Sequence, residues 1–170
     1  MISCYRLVSI KEIQQKSILR KFDCDIEVLN EFLVRYAIKN DTLGISKTFV
    51  ALNHNNRILG YFTLATAQVA YQEIPDEYRI KLPKYPIPAL RIARLAVDKE
   101  LQGQGIGCWL LLQIFIKAVQ VSDITGLYLI IVDAKETSKS FYEYYGFQRL
   151  VDEELSYFVV VDTVRKAILG

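Results

Sequence analysis

The rhythm of apolar positions changes several times along the chain. Ser3 to Val8 predicts a first strand, and the segment from Ile10 to Asn40 carries two helical patterns that separate near Phe22-Asp23-Cys24-Asp25. In the second, Ile26, Leu29, Phe32-Leu33 and Tyr36-Ala37 recur at three- and four-residue spacing, which gathers them on one helical face. KTFVALN and RILGYFTLATAQVA, joined through His54-Asn55-Asn56, predict an antiparallel hairpin. Residues 71–88 are polar and broken by Pro75, Pro83, Pro86 and Pro88, as a helical turn and loop would be. Leu90, Ile92 and Leu95-Ala96-Val97 mark a strand, then a glycine stretch opens a helix over Cys108–Val121. Leu127 to Val132 is a continuous apolar run, the pattern of a central strand buried on both faces. A helix from about Lys135 to Tyr145 stops at Gly146, and Tyr157 to Val161 supplies the last strand. Strands followed by strand–helix–strand predict an α/β chain with a mixed sheet flanked by helices.

Composition narrows the class. A chain of 170 residues with no repeat or linker-like tract predicts one domain over 1–170. The formal charge of +2 is too small to name a polyanionic partner, yet Arg79 to Arg94 holds Arg79, Lys81, Lys84, Arg91 and Arg94 with no acidic residue. Cys4, Cys24 and Cys108 are scattered and odd in number, which argues against both a disulfide framework and a zinc site and for a reducing cytoplasm. MISCYRLVSIKEI is no export signal, and the apolar run from Cys108 to Val121 is interrupted by Gln113, Lys117 and Gln120. No membrane segment and no metal are expected.

The stretch LQGQGIGC places glycines just ahead of the long apolar helix. The first N–H groups of a helix lack intrahelical partners and carry partial positive charge, and glycines let main chain close on an anion. A Walker A loop needs Lys-Ser/Thr after its last glycine, where this chain has Cys108-Trp109; a GxGxxG dinucleotide fingerprint fails because the spacing is GxGxG.

The arrangement Gln102-Gly103-Gln104-Gly105-Ile106-Gly107 resembles the pyrophosphate loop of the GNAT acetyltransferase superfamily. RIARLAVD before it, LYLIIVDA after the helix and SFYEYYGF further on extend the resemblance over residues 89–149. It implies a GNAT fold, with a mixed sheet of about six to seven strands and about four helices. It also implies acetyl-CoA as co-substrate, with Leu95, Ala96 and Val97 along the pantetheine arm and main chain from Gln102 to Gly107 on the diphosphate. Tyr142 aligns with the tyrosine that protonates the departing thiolate. A phenol, with an ordinary pKa of about 10, stays protonated at neutral pH and can deliver that proton.

Two positions depart from the family pattern. Lys135 stands where many members have a coenzyme-binding asparagine, and PALRIARLAV holds no carboxylate where lysine-modifying members place a base. A lysine ε-amine with a pKa of about 10.4 is only about 0.04% neutral at pH 7, against roughly 10–20% for an α-amine. The gap is worth about 3–4 kcal/mol and favours an α-amine acceptor, with Glu73, Glu77 and Asp98 as the loop carboxylates still able to serve.

The chain looks most like the GNAT-type toxins of bacterial toxin–antitoxin pairs, through Phe22-Asp23-Cys24, Leu29-Asn30-Glu31-Phe32-Leu33, SKTFVAL, ILGYFTLA, PIPALRIARLAVD, QGQGIG, VDAK and FYEYYGF. That resemblance implies acetylation of the α-amine of aminoacyl-tRNA, a ribbon-helix-helix antitoxin and a homodimer, with Arg91 and Arg94 as RNA-binding candidates. Acetylation of a small-molecule amine or a protein N-terminus, and a non-catalytic coenzyme-binding module, are the alternatives. His54 reads as surface, Cys108 and Trp109 as packing.

Overall fold

The computed structural model describes residues 4–170, so Ser3 of the first expected strand lies outside the described residues. Seven strands, β1 (Arg6–Ser9), β2 (Lys47–Leu52), β3 (Ile58–Val69), β4 (Ile87–Val97), β5 (Leu129–Asp133), β6 (Gln148–Arg149) and β7 (Ser156–Val160), form a mixed sheet in the order β1-β2-β3-β4-β5-β7-β6. The helices are α1 (Glu27–Glu31), α2 (Ala37–Leu43), α3 (Asp76–Arg79), α4 (Ile106–Ser122), α5 (Lys139–Tyr144) and α6 (Val161–Leu169). Among the described residues there are six rather than about four, partly because a π-helical stretch, Phe32–Tyr36, divides one helical run into α1 and α2. The chain packs as two compact units, the residues through Ala65 with Ala93–Ile114 and Thr66–Ile92 with Phe115–Gly170.

In the first unit, β1 and β2 pair antiparallel, as do β2 and β3, with Phe49 opposite Phe62. The predicted hairpin turn closes on Asn53, whose Oδ1 accepts from the N–H groups of Asn55 and Arg57, and Asn56 takes a left-handed φ of 59°. The expected helix before Phe22 is instead two 3-10 turns, Ile10–Glu12 and Lys16–Lys21. Ile10, Leu19, Phe22, Phe32, Leu33, Val50 and Tyr61 are buried together. Asp41 is buried as well, held by Lys47 Nζ at 3.1 Å and Lys11 Nζ at 3.5 Å.

The Phe22-Asp23-Cys24 motif has a local reason. The Asp23 carboxylate accepts from Asn30 Nδ2 and the Asp25 N–H, both at 2.9 Å, and pairs with Lys99 at 2.8 Å, while the Asp23 carbonyl accepts the Lys99 N–H. Lys99 first, then these hydrogen bonds, hold the Asp23 carboxyl down to about 2. Because that pKa is depressed, the contribution is present above pH ~4 and is lost as pH falls through about 2. The pair is solvent-exposed, so its effect on stability is small.

In the second unit, β4 and β5 run parallel from Ala89↔Leu129 to Ile92↔Val132, and β7 pairs antiparallel with both β5 and β6. Leu129 to Val132 are all buried, as the apolar run predicts. α5 begins four residues later than expected because Ser138 Oγ accepts from the Lys135 N–H and donates to its carbonyl, turning the chain before the helix starts. It stops at Gly146, whose φ is 92°. Val161, expected as strand, opens α6 instead. Its apolar residues Val161, Val164 and Ile168 recur at three and four, and Arg165 reaches Asp123 at 2.6 Å. Among the described residues no helix is long and apolar enough to cross a membrane.

Candidate active site

The glycine stretch belongs to the first unit, where three devices place it. β4 continues through Ala93–Val97 after its last pair with β5 at Ile92. At its end Asp98, 4% exposed, accepts from the Glu100 N–H at 3.0 Å, capping a 3-10 turn over Lys99–Leu101, and receives Arg57 at 3.2 Å. Gln102 Nε2 then donates to the Val97 carbonyl at 3.1 Å, tying the loop back to the strand. Gly103 and Gly105 take φ of 76° and 85°, and a Cβ at either would meet nothing within 4 Å. These glycines therefore serve conformation and an open face, since no neighbour forbids a side chain there. Past the 3-10 turn over Lys99–Leu101, Ile106 begins α4 with its first N–H groups unpaired by the helix. Main-chain donors and a helix N-terminus thus face open space, an arrangement suited to a diphosphate.

Gly60 is a residue the sequence reading passed over. A Cβ there would sit 2.6 Å from the Ala96 carbonyl oxygen and 2.8 Å from Leu110 Cδ1. β3 thus approaches the end of β4 too closely for any other residue, and the available signal was a lone glycine within ILGYFTLA. Gly60→Ala is expected to destabilise the fold by about 1–3 kcal/mol. The Ala96–Val97 main chain must yield, so acetyl-CoA affinity should fall with thermal stability, as calorimetry and a melting curve would show together.

Tyr142, in the second unit, is 5% exposed on α5. Phe141 and Phe147 meet its ring edge-on at centroid distances of 5.2 and 5.3 Å. Its hydroxyl donates to no other described residue. Burial alone pushes the phenol above its ordinary value of 10.0, since the phenolate loses water without gaining a cation. Tyr142 is therefore neutral at physiological pH and holds a proton it can give. The adjacent Glu143 accepts from the Tyr157 hydroxyl at 2.7 Å, fixing α5 to β7.

A cavity of about 500 Å³ in the second unit is lined by Glu73, Arg91, Asp133, Glu153 and Ser156 among polar residues, over Val69, Ile131 and Leu150. Arg91 Nη1 donates to Asp133 Oδ2 at 2.8 Å, and Ser156 Oγ donates to Asp133 Oδ1 at 2.8 Å, so both carboxylate oxygens are engaged. Glu73 Oε2 accepts the Ala70 N–H at 3.1 Å. Arg94 is not part of this cavity: its guanidinium stacks 3.5 Å from the Phe32 ring centroid in the first unit, and partial burial lowers its pKa. The two arginines singled out together thus have different environments. Of the other candidates, Asp98 is a buried structural cap, Glu77 lies exposed on α3, and Lys135 is exposed at the turn before α5. His54 is exposed as expected; Cys108 is exposed rather than packed, and Trp109 stacks edge-on against Tyr5. Among the described residues no group of three or more histidines, cysteines or carboxylates is gathered as a metal site.

The model of the acetyltransferase (GNAT) domain matches residues 45–149. A protein named tRNA-acetylating toxin, from Mycobacterium tuberculosis (strain ATCC 25618 / H37Rv), is 32% identical over 143 residues, 84% of each chain. Among solved structures, AtaT complexed with acetyl-methionyl-tRNAfMet superposes with a TM-score of 0.89 at 25% identity, covering 96% of this chain and 99% of that one. AtaTR bound with AcCoA gives 0.81 at 26% identity, covering 96% and 98%. The chain belongs to the GNAT acetyltransferase family, and its enzymatic class is that of an N-acetyltransferase.

Proposed function

We propose that this protein moves the acetyl group of acetyl-CoA onto the α-amine of an aminoacyl-tRNA and so blocks translation as a toxin. Similarity to the tRNA-acetylating toxin over most of both chains carries this reading. The chemistry of the cavity supports it. Asp133 is engaged by Arg91 and Ser156 and Glu73 by a backbone N–H, which leaves Glu153 as the lining carboxylate to assist, so the acceptor does best if it arrives already largely neutral. An α-amine meets that condition at pH 7 and a lysine does not.

In this reading Leu95, Ala96 and Val97 offer main chain to the pantetheine arm, and the N–H groups from Gln102 to Gly107 hold the diphosphate. The neutral amine attacks the thioester carbonyl and the C–S bond breaks as Tyr142 passes its proton to the leaving sulfur; the proton shed by the acylated nitrogen then returns to the Tyr142 oxygen, which restores the phenol. An apolar surround raises the pKa of the phenol, but it also raises that of a thiol, so the transfer stays matched. Arg91 orients the aminoacyl end within the cavity. A ribbon-helix-helix antitoxin and a second copy of the chain are its protein partners in the cytoplasm, and the exposed apolar residues Val28, Leu43 and Ile45 offer surface for such contacts.

The test is acetyl transfer from labelled acetyl-CoA to charged tRNA, uncharged tRNA, free amino acids and lysine peptides. Label should enter charged tRNA alone and be released by mild alkali as an N-acetyl amino acid. Label on free amines or peptides, with none on charged tRNA, would replace this reading with a small-molecule or N-terminal acetyltransferase. The pH dependence gives a second check. kcat/KM should rise as the amine loses its proton and level off above pH ~8, with no fall before pH ~10 because Tyr142 is held protonated.

A further inference from the structure

A second feature lies in the first unit, outside the glycine loop and outside the acid-free run from Arg79 to Arg94. The 3-10 turn Lys16–Lys21 and the helical run through α2 border a groove of about 340 Å³ lined by Lys16, Leu19, Arg20, Val34, Arg35, Ile38 and Lys39. Four of these residues are cationic, all four are exposed, and neither element places a carboxylate in the groove. Arg35 pairs with Glu31 at 3.1 Å, one helical turn back. Lys16, Arg20 and Lys39 have no ion pair among the described residues.

The floor tells what such a groove would take. Leu19 is buried in the core of the unit, and Val34 and Ile38 pack against that same core, so their apolar surface is largely committed already. An amphipathic acidic peptide would gain little apolar contact from it. What the groove offers is positive charge from four side chains on two neighbouring elements, suited to phosphate groups.

We infer that this basic groove, through Lys16, Arg20, Arg35 and Lys39, grips the phosphate backbone of the RNA substrate. The inference rests on the reading that the substrate is tRNA, and it gives the chain a contact with RNA that is independent of the aminoacyl end. Such contacts are insensitive to base sequence and fade with salt as counterions reoccupy the phosphates. They also let the enzyme hold an RNA body much larger than its catalytic cavity.

Binding of uncharged tRNA to the full chain, measured across a salt series, tests this without any acetyl transfer. The variant Lys16→Ala/Arg20→Ala/Lys39→Ala should weaken binding about ten-fold or more at low salt and flatten the log–log salt slope by about 3, close to 1 per phosphate contact removed. Its unfolding temperature should stay near that of the native chain, because all three side chains are exposed. Lys39→Glu alone should act in the same direction. If both variants bind tRNA with native affinity and slope while the native chain acetylates charged tRNA, the groove is not an RNA contact and the proposed function stands. Native protein that neither binds nor acetylates tRNA would overturn both. Loss of affinity for poly-glutamate with tRNA binding intact would assign the groove to an acidic protein partner instead.

Discussion

Tyr142→Phe should leave acetyl-CoA affinity nearly unchanged while lowering turnover by about 10²–10⁴, the range for losing a general acid. The reasoning is local. The substitution removes one oxygen from a ring that Phe141 and Phe147 already hold in place, and no hydrogen bond within the described structure depends on that oxygen. Stability should therefore hold or rise slightly, which separates a chemical defect from a folding defect. The defect should also depend on the leaving group. A thioester whose thiol is more acidic needs less protonation, so the gap between native and variant should narrow with such an acetyl donor. Unchanged turnover in Tyr142→Phe would remove this residue from the mechanism.

Gly105→Val should do the opposite, weakening acetyl-CoA binding by about 10–100-fold with a smaller effect on the rate at saturation. At a φ of 85° a β-branched residue is strained by about 1–3 kcal/mol, and relief of that strain would turn the loop's N–H groups away from their common direction. Nothing lies within 4 Å of the added Cβ, so a packing clash cannot explain the loss. Gly105→Ala should fall between the two, since strain persists with less bulk over the anion. Titration calorimetry with acetyl-CoA and with desulfo-CoA would locate the loss at the diphosphate if both ligands weaken equally.

Much of this was legible because the informative residues act through backbone. QGQGIG announces its donors by what it lacks, and FYEYYGF places a tyrosine a fixed distance before a helix-ending glycine. LYLIIV predicts β5 because burial on both faces leaves no polar position to confuse the pattern. Other features were hidden for physical reasons. Gly60 depends on how near β3 comes to Ala96, a distance no local pattern records beyond a glycine within a strand. Arg91 and Arg94 looked like one patch in sequence, but residues three apart on a strand leave on opposite sides, and here one meets Asp133 and the other Phe32. The basic groove joins Lys16 and Arg20 to Arg35 and Lys39, about twenty residues apart, so no run of charge reveals it. α6 was missed because it follows β7 with no intervening turn residue, so the strand pattern runs straight into the helical one.

The structure also accounts for motifs that first read only as likeness. Phe22-Asp23-Cys24 anchors Lys99 beside the approach to the glycine loop, so part of the resemblance far from the site is scaffolding for it. Arg57, through Asp98 and Glu100, does the same from the hairpin side. Two independent charged braces on one short turn suit a loop whose own residues are chosen for openness rather than for contacts.

The central claim is that the acceptor is an α-amine carried on tRNA. A single-turnover experiment decides it most directly: enzyme pre-loaded with labelled acetyl-CoA is mixed with charged tRNA or with the same tRNA after deacylation. Label should pass to the charged tRNA, remain on acetyl-CoA with the deacylated tRNA, and fail to move in Tyr142→Phe on the same timescale. Label reaching both tRNAs equally, or neither while a free amine is acetylated readily, would contradict the account.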